Sequence, residues 1–288
     1  MTIDVEDYFH VSAFERHLSR DDWERFESRV CNNTDRLLEI FAGAGVTATF
    51  FILGWVAERY PMLVRRIAAG GHEVASHGYA HRLVYEMTQE EFCEDVHRAK
   101  CLLEDLCGSQ VHGYRAPSYS ITRASLWALD VLVEQGYAYD AGVFPIYHDR
   151  YGIPDAPRHP YRIERSLGSI WEFPGSTVRW GSQNLPIGGG GYFRLLPYGW
   201  TQRGIRHVNG VEQKAVMFYL HPWEVDPQQP RIKTSLFSQF RHYTNLGKTE
   251  SKLQQLLGEF EFDTALSVLA HATSAEVVTA GLPAIALA

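Results

Sequence analysis

The sequence alternates between short apolar segments and segments with helical spacing, and no other feature constrains the fold as strongly. Residues 47–53 form an apolar run, rich in threonine and phenylalanine, that predicts a buried strand. Residues 34–44 and 61–69 flank this run, have the spacing of amphipathic helices and end next to glycines. A chain that alternates strands with helices forms parallel strands with helices outside. The order therefore predicts an α/β fold, either a barrel or an open sheet.

The same alternation continues after residue 70 and predicts further elements. Thr88 and Glu91 form a capping box, which predicts the start of a helix that runs to about Leu106. The remaining predicted elements are a helix over residues 122–135 and strands over residues 72–76, 113–115, 137–140, 169–173 and 215–220.

Residues 145–212 interrupt this alternation because they are rich in proline, glycine, arginine and aromatic residues. Long insertions in compact domains are usually functional loops. The four glycines at 188–191 are equally compatible with a glycine-rich surface loop that binds no ligand. We expect one domain over residues 1–270, with a loop-rich insertion at about 145–212 and a disordered tail over residues 271–288.

The formal net charge of the chain is −7, from 34 acidic and 27 basic residues. This balance, without any lysine- or arginine-rich run, argues against nucleic acid or an anionic membrane surface as a partner. No apolar run is long enough to cross a bilayer. The polar residues directly after Met1 leave no room for a signal peptide, so the sequence predicts a cytoplasmic protein unless residues before Met1 are missing.

Two histidines four residues apart follow the strand predicted over residues 72–76. On a helical turn His77 and His81 would face the same way, so that both imidazoles reach one ion. Such a spacing also arises by chance in a chain with 13 histidines. The position at a strand end favours a site, because α/β folds place their sites at the carboxyl ends of parallel strands.

Three carboxylates, those of Asp4, Glu6 and Asp7, follow the start of another predicted strand. Crowded or buried carboxylates need a positive partner, which a divalent cation would provide. Two histidines and one carboxylate form a standard ligand set that leaves coordination positions open for water and substrate. An acidic loop at a frayed N-terminus is the alternative for this segment alone, but its combination with the histidine pair favours a metal site.

Two later strand ends also carry polar side chains. His221 follows an apolar strand and stands beside Trp223, either as half of an acid/base pair or as a structural residue. Arg115 can hold a carboxylate through bidentate hydrogen bonds, and the turn at Pro117 can direct backbone N–H groups at a developing oxyanion. A surface arginine before a turn is the plain alternative for this segment.

In this order the segments resemble the motifs of the polysaccharide deacetylase family, the NodB-like carbohydrate esterases that remove N-acetyl groups from amino sugars. The matching stretches are residues 2–7, 77–81, 115–117 and 220–221, with a loose match at 137–142. Three stretches also resemble the branch found beside bacterial exopolysaccharide and exosortase loci: residues 4–9, 191–198 and 221–224. The resemblance implies a distorted (β/α) barrel that hydrolyses N-acetylated amino sugar polymers or oligomers.

The resemblance also implies a divalent metal ion, Zn²⁺, held by His77, His81 and one acid. Many family members carry adjacent aspartates, the first as base and the second as ligand, whereas here Val5 occupies the second position. Because a strand alternates faces, Asp4 and Glu6 point the same way. Glu6 would then be the ligand, or Asp7 if the strand ends at Glu6.

The remaining roles follow from the same resemblance. Asp4, held by Arg115, would be the base, and His221 would be the acid that protonates the departing amine. The residues expected to bind the substrate are Pro117, Ser118, Tyr119, Tyr192 and Trp223. Two alternatives stay open: an allantoinase-like or peptide deacetylase-like enzyme on the same scaffold, and a non-catalytic carbohydrate-binding protein.

Overall fold

A computed structural model describes residues 1–271 of the chain except residues 13, 16 and 149. Its main feature is one curled sheet of eight strands with helices on its outer side. From edge to edge the strands are β10 (Tyr219–Leu220), β1 (Thr2–Val5), β2 (Thr49–Ile52), β3 (Glu73–Ser76), β4 (Gly113–Tyr114), β5 (Tyr139–Asp140), β7 (Gly168–Glu172) and β6 (Tyr161–Arg165). Residues 272–288, for which we expect a disordered tail, lie outside the described residues.

All neighbouring strands in this sheet are parallel except β6 and β7 at its edge, which are antiparallel. The side chains alternate between two apolar clusters, as strand geometry requires. Phe51 and Tyr139 point into the curl, while Phe50 and Ile52 pack against the outer layer. The predicted α/β fold of the distorted-barrel type is confirmed, although most strands are shorter than the apolar runs that predicted them.

The described helices are α1 (Val30–Ala44), α2 (Gly54–Arg59), α3 (Pro61–Ala69), α4 (Gln89–Cys107), α5 (Ala128–Glu134), α6 (Gly190–Leu195), α7 (Tyr198–Gly210), α8 (Leu236–Tyr243) and α9 (Leu246–Glu259). The predicted capping box of α4 is confirmed: Thr88 Oγ1 accepts from the Glu91 N–H at 3.2 Å, and the Glu91 carboxylate accepts from the Thr88 N–H at 2.9 Å. Helix α5 is shorter than predicted because a 3₁₀ turn over Arg123–Ser125 precedes it. None of the described helices combines the length and the apolar character needed to cross a membrane.

The segment 145–212 contains more regular structure than a loop-rich insertion would. Strands β6 and β7 form a hairpin at the sheet edge, and β8 (Thr177–Trp180) pairs with β9 (Gln183–Pro186) in a separate two-stranded sheet. Helices α6 and α7 complete the segment. The expected loop-rich character is therefore wrong for most of it, because antiparallel hairpins lack the strand–helix alternation from which the other elements were predicted.

The glycine run at 188–191 packs against β10 and is not a surface loop. The N–H of Tyr219 donates to the carbonyl of Gly188 at 2.7 Å, and Gly189 bridges to Tyr219 in parallel fashion. Gly189 has φ of 118°, and a Cβ atom there would collide with the Tyr219 backbone. Only glycine fits such a close backbone approach. The run thus brings α6 beside the carboxyl end of β10.

Two fully buried carboxyl groups lie side by side on adjacent strands. Asp140 of β5 is in register with Glu172 of β7. Burial, reinforced for Glu172 by the neighbouring Asp140, raises the pKa of Glu172 well above its ordinary value, and burial raises the pKa of Asp140 to about 6. The pair therefore keeps at least one proton at neutral pH, since two adjacent buried carboxylates repel each other.

Because of this pair, we expect the free energy of unfolding to depend on pH, and we expect Glu172→Gln to weaken that dependence. A carboxyl whose folded-state pKa is raised stabilises the fold below its unfolded pKa, and this contribution is lost as the pH rises through the folded pKa. Between pH 5 and pH 8 we expect wild type to lose at least about 1.4 kcal/mol more unfolding free energy than Glu172→Gln, the equivalent of one pKa unit. Urea denaturation at both pH values measures this. The exposed Glu164→Gln on β6 is the control, and equal losses in wild type and Glu172→Gln would refute the shared proton.

Candidate metal centre

The polar residues singled out in the sequence converge at the carboxyl ends of four strands. Asp4 and Glu6 come from the end of β1, His77 follows β3, Arg115 follows β4 and His221 follows β10. The side chains of Asp4, Glu6, Arg115 and His221 each lie 2.6–3.9 Å from another side chain of this group. The ring of His77 lies 2.8 Å from the backbone carbonyl of Arg115. These polar residues therefore meet at the carboxyl ends of the strands, as the strand order predicts.

Glu6, His77 and His81 offer one ligand atom each within 4.8 Å of one another, and all three are buried. The Nδ1–H of His77 donates to the Arg115 carbonyl at 2.8 Å, which leaves its Nε2 free to bind. Burial lowers the pKa of His77 to about 4, so the imidazole is neutral at pH 7. Glu6 Oε2 lies 2.8 Å from His81 Nε2, so the carboxylate and this imidazole already face each other. Two buried imidazoles beside one buried carboxylate fit a divalent metal ion.

The histidine pair reaches this arrangement without the helical turn that its spacing predicts. Residues 77–81 form a loop, in which Gly78 has φ of 73° and His81 has φ of 49°. Asp95 on α4 fixes the loop, because its carboxylate accepts from the N–H groups of Tyr79 at 2.7 Å and Ala80 at 3.3 Å. The predicted helical turn is wrong because these hydrogen bonds and the left-handed residues replace a helical ladder.

Asp7 is not a member of the metal group. Its Oδ2 accepts from the Ser28 hydroxyl at 2.7 Å and from the N–H groups of Arg29 at 2.8 Å and Val30 at 3.1 Å. These donors stand at the start of α1, so Asp7 caps that helix from a distance in sequence. Of the two acids predicted as possible metal ligands, Glu6 therefore fits the geometry and Asp7 does not. Helix α1 begins at Val30, four residues before the predicted Thr34.

Arg115 and Asp4 form a buried ion pair. Arg115 Nη1 donates to Asp4 Oδ1 at 2.6 Å and to Thr2 Oγ1 at 2.9 Å. The guanidinium also lies 4.1 Å from the centre of the Phe51 ring. Arg115 is only 1% exposed, so the alternative of a surface arginine is wrong. The pair fixes one oxygen of Asp4 and leaves Oδ2 facing His221.

His221 presents one ring nitrogen to the two acids. Its Nε2 lies 3.6 Å from Glu6 Oε1 and 3.9 Å from Asp4 Oδ2. On the other side its Nδ1–H donates to Glu224 Oε2 at 2.8 Å. Burial alone would lower the pKa of His221, but the charges of Glu6 and Glu224 raise it to about 9. His221 is therefore charged at neutral pH in this arrangement.

The turn after Arg115 has an unusual backbone. Ser118 and Tyr119 both lie in the left-handed region, with φ of 52° and 53°. Such values in non-glycine residues cost energy and cluster at functional sites. The Tyr119 N–H already donates to the Ala116 carbonyl at 3.1 Å, and the Ser118 hydroxyl hydrogen-bonds to Ser12 at 2.6 Å. Of the backbone N–H groups of Ser118 and Tyr119, that of Tyr119 is therefore already engaged.

The aromatic residues expected to bind the substrate occupy different positions. Trp223 is buried and donates from Nε1 to Glu6 Oε1 at 3.3 Å, so it supports the site and is not an open wall. This corrects its expected role, because the rings of His221 and His242 stack on the indole. Tyr119 packs 5.4 Å from Tyr219, and the half-buried Tyr192 is close enough to Tyr219 to raise its pKa, after the larger effect of burial.

Sequence reasoning missed two residues that hold the site together, Asp95 and Glu224. Glu224 stands three residues after His221, and this spacing at a strand end is the signal that would have found it. For Asp95 the sequence offers no such signal, because it lies in the interior of α4 and acts on a loop 15 residues earlier.

Comparisons with known proteins divide the chain into two parts. A family model described as polysaccharide deacetylase matches residues 21–139. A second model, described as a domain of unknown function (DUF3473), matches residues 141–270. The boundary falls at Asp140 in β5: the first model covers β2 to β4 and the histidine pair, the second covers β6 to β10 and His221, and β1 precedes both.

The curated relatives match about a third of the chain. A peptidoglycan-N-acetylglucosamine deacetylase from Bacillus cereus is 32% identical over 98 residues, which cover 34% of this chain and 36% of that protein. A chitooligosaccharide deacetylase from Sinorhizobium fredii is 34% identical over 106 residues, with coverages of 36% and 46%. The chain thus matches less than half the length of either relative.

Solved structures extend the likeness in fold to the whole chain. A Mycobacterium smegmatis structure, named as a candidate polysaccharide deacetylase, aligns with a TM-score of 0.63 at 20% identity and covers 99% of this chain and 93% of that one. Puue allantoinase aligns with a TM-score of 0.60 at 15% identity, with coverages of 88% and 74%. At these identities the likeness shows the fold alone.

The geometry predicts opposite consequences for the two neighbouring acids. Glu6→Gln should weaken metal binding at least about tenfold, because it removes a charged ligand, and should leave the fold intact. Asp7→Ala should lower the unfolding free energy by roughly 2 kcal/mol, because it removes the cap of α1, and should leave metal affinity nearly unchanged. Isothermal titration with Zn²⁺ and urea denaturation measure the two effects. Loss of metal affinity in Asp7→Ala alone would restore Asp7 as the ligand.

Proposed function

Because this chain carries a polysaccharide deacetylase domain, we propose that it hydrolyses the N-acetyl groups of amino sugars in a polysaccharide or its precursor and releases acetate. One observation carries the proposal: a buried carboxylate–arginine pair and a charged histidine face each other across a three-residue metal centre. This set contains a base, an acid and a Lewis-acid site, which amide hydrolysis requires. The relatives named as deacetylases of peptidoglycan and chitooligosaccharide favour an N-acetylated sugar as substrate.

Glu6, His77 and His81 would hold the divalent ion, which we propose to be Zn²⁺. The ligand types suit zinc, since a two-histidine, one-carboxylate set is common in its catalytic sites. When bound, such an ion supplies Lewis-acid catalysis and lowers the pKa of a water molecule from 15.7 toward about 7. Trp223 holds the carboxylate of Glu6, and the Arg115 carbonyl holds the ring of His77, so both ligands are oriented in advance.

Asp4 takes the proton of the attacking water molecule in this mechanism. Arg115 binds its Oδ1, so the free Oδ2 is the oxygen that accepts the proton. The same ion pair holds the carboxylate in place before the reaction. A backbone N–H group completes the stabilisation of the developing oxyanion, and we assign this to Ser118 because the Tyr119 N–H is already engaged.

His221 donates a proton to the departing nitrogen as the C–N bond breaks, which yields acetate and a free amine. Its charged state, with the pKa raised to about 9, suits this role at neutral pH. Pro117, Tyr119 and Tyr192 would contact the sugar near the turn and α6. We place the reaction in exopolysaccharide biosynthesis on the resemblance of residues 4–9, 191–198 and 221–224 to that branch.

The proposal predicts that the two histidine ligands are needed for both metal binding and hydrolysis. His77→Ala and His81→Ala should each lose bound Zn²⁺ and the release of acetate from N-acetylglucosamine oligomers, because each removes one of three ligands. Metal content by atomic absorption and acetate by a coupled assay measure this. Unchanged metal content together with unchanged deacetylation in either variant would refute the site.

His221→Gln separates the acid from the metal centre. It should keep metal binding and lose amide hydrolysis by roughly 10²–10⁴-fold, the usual contribution of a general acid. If wild-type protein binds zinc and hydrolyses allantoin or a peptide amide but not sugar oligomers, the substrate is a non-sugar amide and the proposed substrate class is wrong. Binding of oligomers without any hydrolysis would indicate a carbohydrate-binding protein instead.

A further inference from the structure

The partner of His221 is a glutamate that the proposed mechanism does not use. Glu224 is fully buried, and both of its oxygens are engaged. Oε2 accepts from the backbone N–H of His221 at 3.0 Å and from its ring Nδ1–H at 2.8 Å. Oε1 accepts from Nε of Arg194 at 2.6 Å. The carboxylate therefore fixes both the tautomer and the orientation of the His221 ring.

Arg194 holds this carboxylate from α6. The side chain is only 2% exposed, and its other nitrogens donate to three backbone carbonyls. Nη1 donates to His242 at 2.9 Å and Thr244 at 3.0 Å, and Nη2 donates to Arg241 at 3.0 Å. These carbonyls stand at the end of α8, where a helix leaves carbonyl groups without partners. One guanidinium thus joins α6, the end of α8 and Glu224.

A stack of three rings restricts His221 from its other side. Trp223 lies between the rings of His221, at 5.0 Å and 20°, and His242, at 4.2 Å and 19°. Gln229 fixes the far ring through a 2.7 Å hydrogen bond to His242 Nε2. Because the backbone of His242 is itself bound by Arg194, the stack and the hydrogen-bond chain depend on the same arginine.

We propose that Arg194 and Glu224 are positioning residues that aim the proton on His221 Nε2 at the departing nitrogen of the substrate. Glu224 holds Nδ1–H, so the remaining N–H of the ring points at the pocket between Asp4 and Glu6. Arg194 makes this possible because a buried carboxylate without a counter-charge is costly. The inference rests on the proposed amide hydrolysis and deepens it.

This arrangement gives a role to the part of the chain that matches a model of unknown function. Arg194, Glu224 and the carbonyls at the end of α8 all lie in residues 141–270, whereas Asp4, His77 and Arg115 lie outside them. The glycine contact of Gly189 with Tyr219 brings α6 to the required distance. Residues 141–270 would then complete the acid half of a site whose base and metal ligands come from the rest of the chain.

The test compares an amide with an ester whose leaving group needs no proton. Glu224→Gln should lower kcat for N-acetylglucosamine oligomers at least about tenfold, as part of the general-acid contribution. It should change hydrolysis of 4-nitrophenyl acetate by less than about threefold, because 4-nitrophenolate leaves without protonation. Glu224 accepts from Arg194 with one oxygen and from His221 with the other, whereas a glutamine has a donor at one of these two positions. KM for the oligomers should stay unchanged.

Arg194→Met should show the same selective loss, and Arg194→Lys should recover part of it by restoring the charge beside Glu224. The matched control is Arg158→Met, in the same part of the chain. Arg158 binds Glu212 and the Thr177 carbonyl, and neither contacts His221. Arg158→Met should keep the ratio of amide to ester hydrolysis of wild type.

An equal loss of amide and ester hydrolysis in Glu224→Gln and Arg194→Met would overturn the inference, as would full amide activity in both. Should Arg194→Met fail to fold in a thermal unfolding assay, the isosteric Glu224→Gln decides alone. Wild-type protein that binds Zn²⁺ and cleaves the ester, but releases no acetate from any amide, would instead refute the proposed function.

Discussion

The buried ion pair of Arg115 with Asp4 is the interaction on which the other parts of the site depend. The guanidinium fixes the carboxylate of Asp4, and the backbone carbonyl of the same residue fixes the ring of His77. One residue at the end of β4 therefore orients both the proposed base and one proposed metal ligand. A buried pair of this kind is stable only when its geometry is good, and removal of one partner leaves an unpaired charge in the interior. The Thr2 hydroxyl, the Ala141 carbonyl and the Phe51 ring also contact the guanidinium, so the fold surrounds the pair on several sides.

The sequence predicted the part of the site that depends on strand geometry. Parallel strands bring their carboxyl ends to one edge, so residues that follow different strands meet even when they are far apart in the chain. Alternation along β1 places Asp4 and Glu6 on one face and Val5 on the other, as their burial in different surroundings confirms. The same reasoning gave α3 and the capped start of α4 to within a residue, because both depend on local signals. Local patterns and the strand order thus predict both the fold and the group of polar residues that meet at the strand ends, namely Asp4, Glu6, His77, Arg115 and His221.

Prediction failed where long-range hydrogen bonds decide the conformation. The loop from His77 to His81 takes its shape from Asp95, and the role of Asp7 depends on three donors more than 20 residues away. Neither partner is visible in a local pattern. The strand over residues 169–173 was predicted, but its hairpin partner β6 and the hairpin of β8 and β9 were missed because these strands carry polar and aromatic residues without the apolar runs of the central sheet. Trp223 was predicted to contact the sugar because aromatic faces suit the apolar face of a pyranose, whereas the stack with His221 and His242 buries it.

The charges of the site determine what a bound cation would do in it. Asp4 is balanced by Arg115, and Glu224 is balanced by Arg194. Glu6 and the charged His221 form a third opposite pair, 3.6 Å apart, while His77 is neutral at pH 7. The six charged groups therefore cancel, and a divalent ion beside Glu6 would leave the pocket positive. A positive, buried pocket stabilises the negative charge that develops on a carbonyl oxygen under attack, because the low dielectric strengthens the attraction. Had the two arginines been absent, the same ion would have served only to neutralise excess carboxylates.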